Sequence, residues 1–332
     1  MNSKKPKILV SIEKPSRLIS QAIKEELESL AEILWLDQCA NQSSRLKFIK
    51  SASILIGLKL HNEIKHEEWQ STRHMSLIQA LSAGVDFVPF EKIPNDIPVA
   101  SNRGAFALPM AEHGLALLLA SAKSLREREI RMRLGYFDQW SPTRSLNGLS
   151  VGIVGFGGIG QAFAQLLKPF SCKIFAINRT GNINDFMVSG IGDLSSLGTI
   201  LPKCDVIVLS ISLNKSTVGI IGEKELKLMK KDAILINLAR GDIINQEALY
   251  NHLKSNPNFQ ACLDAWWSEP FIHGRFETEY DFLSLENVLG SPHNSAQIPG
   301  INEYAARRGA RNVAQYLRKE PVDFLVGNDE RP

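Results

Sequence analysis

Cysteine is scarce and scattered: Cys39, Cys172, Cys204 and Cys262 are the only four in a chain of 332 residues. None falls in a Cys-x-x-Cys pair or another metal-type spacing. That excludes a zinc ribbon, predicts no metal site, and favours buried thiols in a reducing compartment over a disulfide frame. Long hydrophobic runs are missing too. The most apolar stretch, residues 114–122, is about nine residues long, roughly half of what a bilayer requires, and reads as a buried helix. The apolar run at residues 8–10 is too short for the core of a secretion signal. The default expectation is a soluble cytoplasmic protein without a membrane partner. Charge of one sign is also lacking: 38 Lys and Arg against 35 Asp and Glu leave +3, too little to argue for nucleic acid. The densest basic cluster, Arg126, Arg128, Arg131 and Arg133, is interleaved with Glu127 and Glu129, the pattern of a solvated helix face.

What remains is an ordinary globular composition, 44% hydrophobic and 22% charged. At roughly 150 residues per domain the length predicts two domains. In the first third, strand-like runs at residues 7–11, 32–36, 53–57 and 98–100 alternate with amphipathic stretches. In residues 17–30, Leu18, Ile23, Leu27 and Leu30 recur at helical spacing. This is the βαβ rhythm of a parallel sheet with helices on its faces. One long helix is predicted from Pro109 to about Leu134, ended by Gly135, before a turn-rich segment at 138–148 that holds Trp140 and Pro142. A second βαβ series starts at 149–154 and continues with strands at 173–177, 206–210, 233–237 and 260–263. The fold class is α/β, in two successive units.

Gly155-Phe156-Gly157-Gly158-Ile159-Gly160 fits G-x-G-x-x-G between the strand at 151–154 and an apparent helix at 161–167. Gly155 would make the tight turn, Gly157 would let the backbone approach a pyrophosphate, and Gly160 would let helix and strand pack closely. The helix N-terminus adds N–H donors and partial positive charge. Glycine-rich turns alone are weak signals, but this strand–turn–helix context predicts a dinucleotide site. An NAD site would carry Asp or Glu about 20 residues on, for the ribose 2′-hydroxyl. Here the next strand ends in Asn178-Arg179-Thr180, with no carboxylate before Asp185. A guanidinium at Arg179, a hydroxyl at Thr180 and a neutral Asn178 suit a 2′-phosphate, so NADP(H) is preferred over NAD(H).

Three more segments follow strand-like runs: Leu238-Ala239-Arg240-Gly241, then Asp264-Ala265-Trp266-Trp267-Ser268-Glu269-Pro270, then Ser291-Pro292-His293-Asn294. Alone, an Arg-Gly is usually a turn, a Glu-Pro a loop start and a Pro-His nothing. Together with Asn102-Arg103-Gly104-Ala105, Ala111-Glu112-His113 and the glycine loop, in this order, the chain resembles the D-2-hydroxyacid dehydrogenase family across roughly two thirds of its length. The resemblance implies two Rossmann-like, doubly wound domains with a cleft between them. The substrate domain would be residues 1–104 and 300–332, discontinuous, and the dinucleotide domain residues 105–299. Residues 101–104 and 294–300 would be the hinges. The helix and arm at about 109–148 would form a homodimer contact, with Trp140 reaching toward the neighbour's site.

By position, Arg240, Glu269 and His293 are implied as the catalytic trio. Imidazole changes protonation near neutral pH, so His293 can supply a proton to a carbonyl oxygen. Glu269 would orient that ring and favour its charged form. Arg240 would pair with the substrate carboxylate and polarise the carbonyl. The resemblance further sets Ser210, Ile211, Ser212, Leu238, Ala239, Arg240, Asp264 and His293 beside the cofactor, Asp264 near the nicotinamide carboxamide. It sets the backbone N–H groups of Ala83 and Gly84, in Ser82-Ala83-Gly84-Val85-Asp86, at the substrate carboxylate. Ser210-Ile211-Ser212-Leu213 departs from the family's usual His-x-Pro-Leu, which predicts a less rigidly fixed loop. Glu269 stands where formate dehydrogenases carry Gln, which disfavours that activity. Reduction of a small 2-keto acid, glyoxylate or hydroxypyruvate foremost, is the implied function. Phosphite, a larger 2-keto acid and a non-catalytic NAD(P)H-sensing corepressor are the alternatives. Glu112-His113 reads as structural. His61, His66, His74, His252 and His273 read as surface residues, and Trp266 and Trp267 either pack the core or narrow the site.

Overall fold

Short runs of Ile, Leu and Val become strands, and every pairing between them is parallel. The computed structural model describes residues 5–183 and 188–331, so Asp185 lies outside the described residues. The chain divides into two compact units, Met1–Phe106 with Ile298–Pro332, and Ala107–Gln297.

In the first unit β1 (Lys7–Val10), β2 (Glu32–Trp35), β3 (Ile54–Gly57), β4 (Leu77–Ala80) and β5 (Val99–Ala100) form a sheet in the order β2-β1-β3-β4-β5. β3 is buried along its whole length, as a central parallel strand covered on both faces must be. The helix Arg17–Leu27 starts at Ser16, whose side chain accepts from the Ile19 N–H. It packs with the helix Ile301–Leu317 on one face of the sheet, burying Ala22, Ile23 and Leu27 with Ala306, Ala310 and Val313. Trp69, Ile49 and Leu60 fill the other face. The sequence reading missed β4. Its run is broken by Gln79, fully buried, whose amide donates to the Ala80 and Ser101 carbonyls and accepts from Asn312 Nδ2 at 2.7 Å.

In the second unit β6 (Ser150–Val154), β7 (Lys173–Ile177), β8 (Gly190–Gly192), β9 (Val206–Leu209), β10 (Ile234–Asn237), β11 (Gln260–Leu263) and β12 (Val288–Gly290) form a sheet in the order β12-β11-β10-β9-β6-β7-β8. The chain leaves β6 toward β7 and β8, then returns to β9 on the other side. The strand order therefore reverses between β6 and β9, where open α/β sheets bind their ligands. β8, three residues long at one edge and two of them glycine, was too short and glycine-rich for periodicity to show.

The single helix expected over 109–134 is two, Ala107–Ala122 and Leu125–Arg133. Ser124, at φ +49°, redirects the chain between them. The reason is burial: the first helix packs Met110, Ala111, Leu117 and Leu118 inward, whereas the second buries no side chain. Gly135 does end the second helix. At φ +88° it allows Tyr136 N to donate to Arg131 O and Gly135 N to Met132 O, both at 3.0 Å, the two bonds of a Schellman turn. Only two of the four thiols are buried as expected. Burial pushes Cys204 and Cys262 up to about 12, while Cys39 and Cys172 are half-buried. No helix among the described residues is long and apolar enough to cross a membrane.

Candidate active site

Because all seven strands of the larger sheet run parallel, the loops that follow them emerge along one edge. Those loops carry nearly every residue singled out from the sequence. After β6, Gly155 adopts φ +100°, and its N–H and that of Phe156 donate to Ile177 O. A Cβ on Gly155 would stand 2.4 Å from Ile211 N, so this turn touches the loop after β9 backbone to backbone. Ser210 Oγ adds a 2.8 Å bond to Gly155 O. A Cβ on Gly160 would stand 2.6 Å from Gly155 O and 2.9 Å from Ile153, so only glycine seats the helix Gly158–Leu167 on β6. At Gly157 a Cβ would meet nothing within 4 Å, and no side chain caps the helix there. Two glycines are thus required by packing and the third keeps space open before a helix N-terminus, which is what a pyrophosphate needs. Phe156 is buried, so it can offer a ligand only backbone.

After β7 the Asn178 side chain shapes a turn, donating to Asn182 O at 2.7 Å and accepting from Thr180 N at 3.1 Å. Arg179 and Thr180 are exposed on it. The carboxylate of Asp193, after β8, is engaged by Ser195, whose hydroxyl and N–H bonds hold it below the usual carboxylate range. After β9 the stretch from Ser210 to Leu213 is tied at its far end by a side chain. Buried Thr217 donates to Ser212 O at 2.8 Å and accepts from Asn214 N at 2.8 Å.

After β10 the turn is pinned by Asn237, a residue to which sequence reasoning gave no role. Its buried side chain accepts from Ala239 N at 3.0 Å and donates to Arg240 O at 2.9 Å. Leu238 and Ala239 are buried, and Arg240 Nη1 donates back to Ala239 O at 2.8 Å. A Cβ on Gly241 would stand 2.3 Å from the Trp266 carbonyl carbon, so the Arg240 turn rests directly on the backbone after β11. Gly241→Ala is therefore expected to destabilise the fold by about 3 kcal/mol, because backbone cannot swing aside as a side chain can. Urea unfolding checks this; an unchanged midpoint would rule the contact out.

After β11, Glu269 reaches back, and its Oε1 accepts from Trp266 N at 2.7 Å. Its Oε2 meets His293 Nδ1 at 2.6 Å across from β12, with the Glu269 side chain 13% and the His293 side chain 31% exposed. A carboxylate can only accept, so the Nδ1 proton points at Glu269 and Nε2 is the ring's other polar atom. Asp264 is 0% exposed. Its carboxylate accepts from Ser291 Oγ, Asn294 N and Ser295 N, holding the His293 loop. His113 forms no pair with its neighbour Glu112; it contacts Ser291 Oγ at 3.0 Å.

Both tryptophans are anchored. Trp266 Nε1 donates to Ser291 O and Trp267 Nε1 to Ile244 O, each at 2.8 Å, and Trp267 stacks on Phe282. Among the five histidines read as surface, His66, His74 and His273 are exposed, and His273 Nδ1 accepts from Glu269 N at 3.1 Å. His61 and His252 are instead half-buried, edge-on to Phe87 and Phe259, and burial lowers the pKa of both. Ala83 and Gly84 belong to the first unit, on the loop after β4 at the carboxyl edge of that sheet. There Asn102 N and its side-chain amide donate to Ser82 O and Leu81 O.

Comparison with known proteins agrees with this architecture. Residues 115–295 match the family model described as D-isomer specific 2-hydroxyacid dehydrogenase, NAD binding domain. A glyoxylate reductase of Thermococcus litoralis is 30% identical over 336 residues, covering 98% of each chain. Among solved structures, a D-isomer specific 2-hydroxyacid dehydrogenase family protein from Aeromonas salmonicida superposes with a TM-score of 0.80 at 23% identity, covering 98% of this chain and 99% of that one. A D-isomer specific 2-hydroxyacid dehydrogenase from Xanthobacter autotrophicus, in complex with NADPH and MES, superposes with a TM-score of 0.79 at 22% identity, covering 97% of this chain and 98% of that one. Two parallel-sheet Rossmann-like units, a glycine turn shaped for a dinucleotide and a match over more than half its length place the chain in the D-isomer specific 2-hydroxyacid dehydrogenase family, nicotinamide-dependent oxidoreductases of 2-hydroxy acids.

Proposed function

We propose that the protein reduces a small 2-keto acid, glyoxylate or hydroxypyruvate foremost, with NADPH as the preferred cofactor. The observation that carries this is the 2.6 Å contact of His293 Nδ1 with Glu269 Oε2, beside the Arg240 turn at the edge where the glycine loop opens. The glyoxylate reductase relative supports the substrate class, and the NADPH-bound neighbour agrees with the cofactor.

Bound nicotinamide supplies the hydride. The chain's own residues do the rest. His293 gives a proton from Nε2 to the carbonyl oxygen, and Glu269 both aims the ring and stabilises its positive charge. Arg240 pairs with the substrate carboxylate, and the family resemblance assigns the backbone N–H groups of Ala83 and Gly84 as anion donors. The backbone from Gly155 to Gly160 takes the pyrophosphate. The loops carrying Ser210, Ile211, Ser212, Leu238 and Ala239 flank the cofactor. A spectrophotometric screen of NADPH and NADH oxidation with glyoxylate, hydroxypyruvate, pyruvate and a branched 2-keto acid tests the reading. Turnover with none of them, while NADPH binds, would refute it and leave a sensing role.

The exposed turn after β7 underlies the cofactor preference. Arg179 and Thr180 would pair with the 2′-phosphate. Arg179→Asp is expected to swing the NADPH to NADH ratio of kcat/KM by about a hundredfold toward NADH, the size of a lost charge-assisted pair plus a new repulsion. An unchanged ratio would remove the 2′-phosphate assignment.

A homodimer is also proposed. The helix Leu125–Arg133 buries no side chain within its own chain, and the arm after it leaves Phe137 76% and Trp140 85% exposed. Large apolar side chains left exposed along one segment, Leu134, Tyr136, Phe137 and Trp140, are the kind of surface a partner covers. Light scattering should give twice the chain mass; a monomer at micromolar concentration would overturn the assignment.

A further inference from the structure

His293 has φ of +48°, a left-handed conformation uncommon for a side-chain-bearing residue, and here its neighbours hold it. The enforcing bonds lie on both sides of it. Before it, Ser291 N donates to Leu263 O at 2.9 Å and Ser291 Oγ to Asp264 Oδ1 at 2.7 Å. After it, Asn294 N reaches Asp264 Oδ1 at 3.2 Å and Ser295 N reaches Asp264 Oδ2 at 3.3 Å. One fully buried carboxylate thus brackets the histidine from residue 291 to residue 295.

A further side chain, from another element, completes this arrangement. His113, on the helix Ala107–Ala122, places Nε2 3.0 Å from Ser291 Oγ and 3.7 Å from Asp264 Oδ1. A serine hydroxyl has one proton, and here it goes to the carboxylate. The hydroxyl must then accept from Nε2, so His113 carries its proton there and donates. The chain His113 → Ser291 → Asp264 runs in one direction, each donor polarising the next.

We propose that His113, acting through Ser291 and Asp264, is a positioning residue for His293. It touches none of the reacting atoms. It fixes the hydroxyl that holds Asp264 in the orientation from which both oxygens grip the backbone after His293. This rests on the reading of His293 as proton donor for its kinetic consequence, but not for its structural one.

The test pairs two substitutions with two readouts. His113→Leu keeps bulk and removes the donor, while His113→Gln keeps an N–H within reach of Ser291. Amide exchange by mass spectrometry over residues 291–297 reads the grip directly, and kcat with Kd for NADPH reads its effect. In His113→Leu, exchange in that segment should quicken about tenfold, as a local opening made easier. kcat should fall about tenfold while the NADPH Kd stays within about twofold, because misplacement of the acid affects chemistry rather than binding. His113→Gln should restore both. If His113→Leu does not fold, Ser291→Ala is expected to shift exchange and kcat in the same direction. Unchanged exchange in the variant that folds overturns the proposal, as does a weakened NADPH Kd at unchanged kcat. Should the wild type turn over no 2-keto acid, the proposed reaction fails, and the exchange result still decides this inference.

Discussion

Replacing His293 by alanine is expected to lower kcat for 2-keto acid reduction by about a thousandfold, within the span that a positioned general acid contributes. NADPH affinity should hold, because the imidazole lies on the loop after β12, at the far side of the sheet from the glycine turn after β6. The partner carboxylate gives a graded second point. Glu269 accepts with both oxygens at once, Trp266 N on one and His293 Nδ1 on the other. Glutamine has a single accepting oxygen, so Glu269→Gln must turn its amide N–H₂ toward one of those two donors. It either loosens the backbone that presents residue 269 or forces the imidazole to give up its Nδ1 proton. A fall of about ten- to hundredfold is expected, smaller than that of His293→Ala because the acid is still present. Steady-state kinetics with NADPH titration by fluorescence check both variants. If His293→Ala retains more than about a tenth of wild-type kcat, the proton comes from another group.

Much of this site was legible in the sequence because its residues follow strands whose apolar runs are unmistakable. Val151, Ile153 and Val154 mark β6, so the glycines after them could be given tasks, and two of those tasks are visible as contacts no Cβ would survive. Arg240, Glu269 and His293 could be placed along one edge because parallel strands share their polarity. What escaped notice was polar and internal. Asn237 and Thr217 each fix a loop by bonding to backbone within a few residues, a role that leaves no periodicity. The hold of Asp264 on the 291–295 loop is of the same kind, because those partners lie far along the chain and no spacing rule joins them. The helix break at Ser124 was hidden for another reason. Neither Pro nor Gly marks it, and what changes there is the loss of anything to pack against. β4 and β8 escaped because a buried glutamine or a pair of glycines interrupts runs only three or four residues long.

The substrate end of the proposal stands or falls with Arg240. Its backbone is held from two directions, by the Asn237 side chain and by the contact of Gly241 with the Trp266 backbone. One of its five N–H donors is committed to Ala239 O, which orients the guanidinium plane. A fixed planar fork is what two-point recognition of a carboxylate needs, and an ammonium on a flexible stem cannot reproduce it. Arg240→Gln is therefore expected to cut kcat/KM for the keto acid by about a thousandfold, roughly 4 kcal/mol. That is the size of a charge-assisted pair lost together with carbonyl polarisation. Arg240→Lys should recover at most about a tenth of that loss, keeping the charge without the fork. The cofactor should bind both variants normally. Oxamate, an unreactive mimic of a keto acid, separates binding from chemistry: its inhibition constant should rise in step with KM. If KM and oxamate affinity stay within about threefold of wild type while kcat alone collapses, Arg240 serves the reaction without holding the carboxylate.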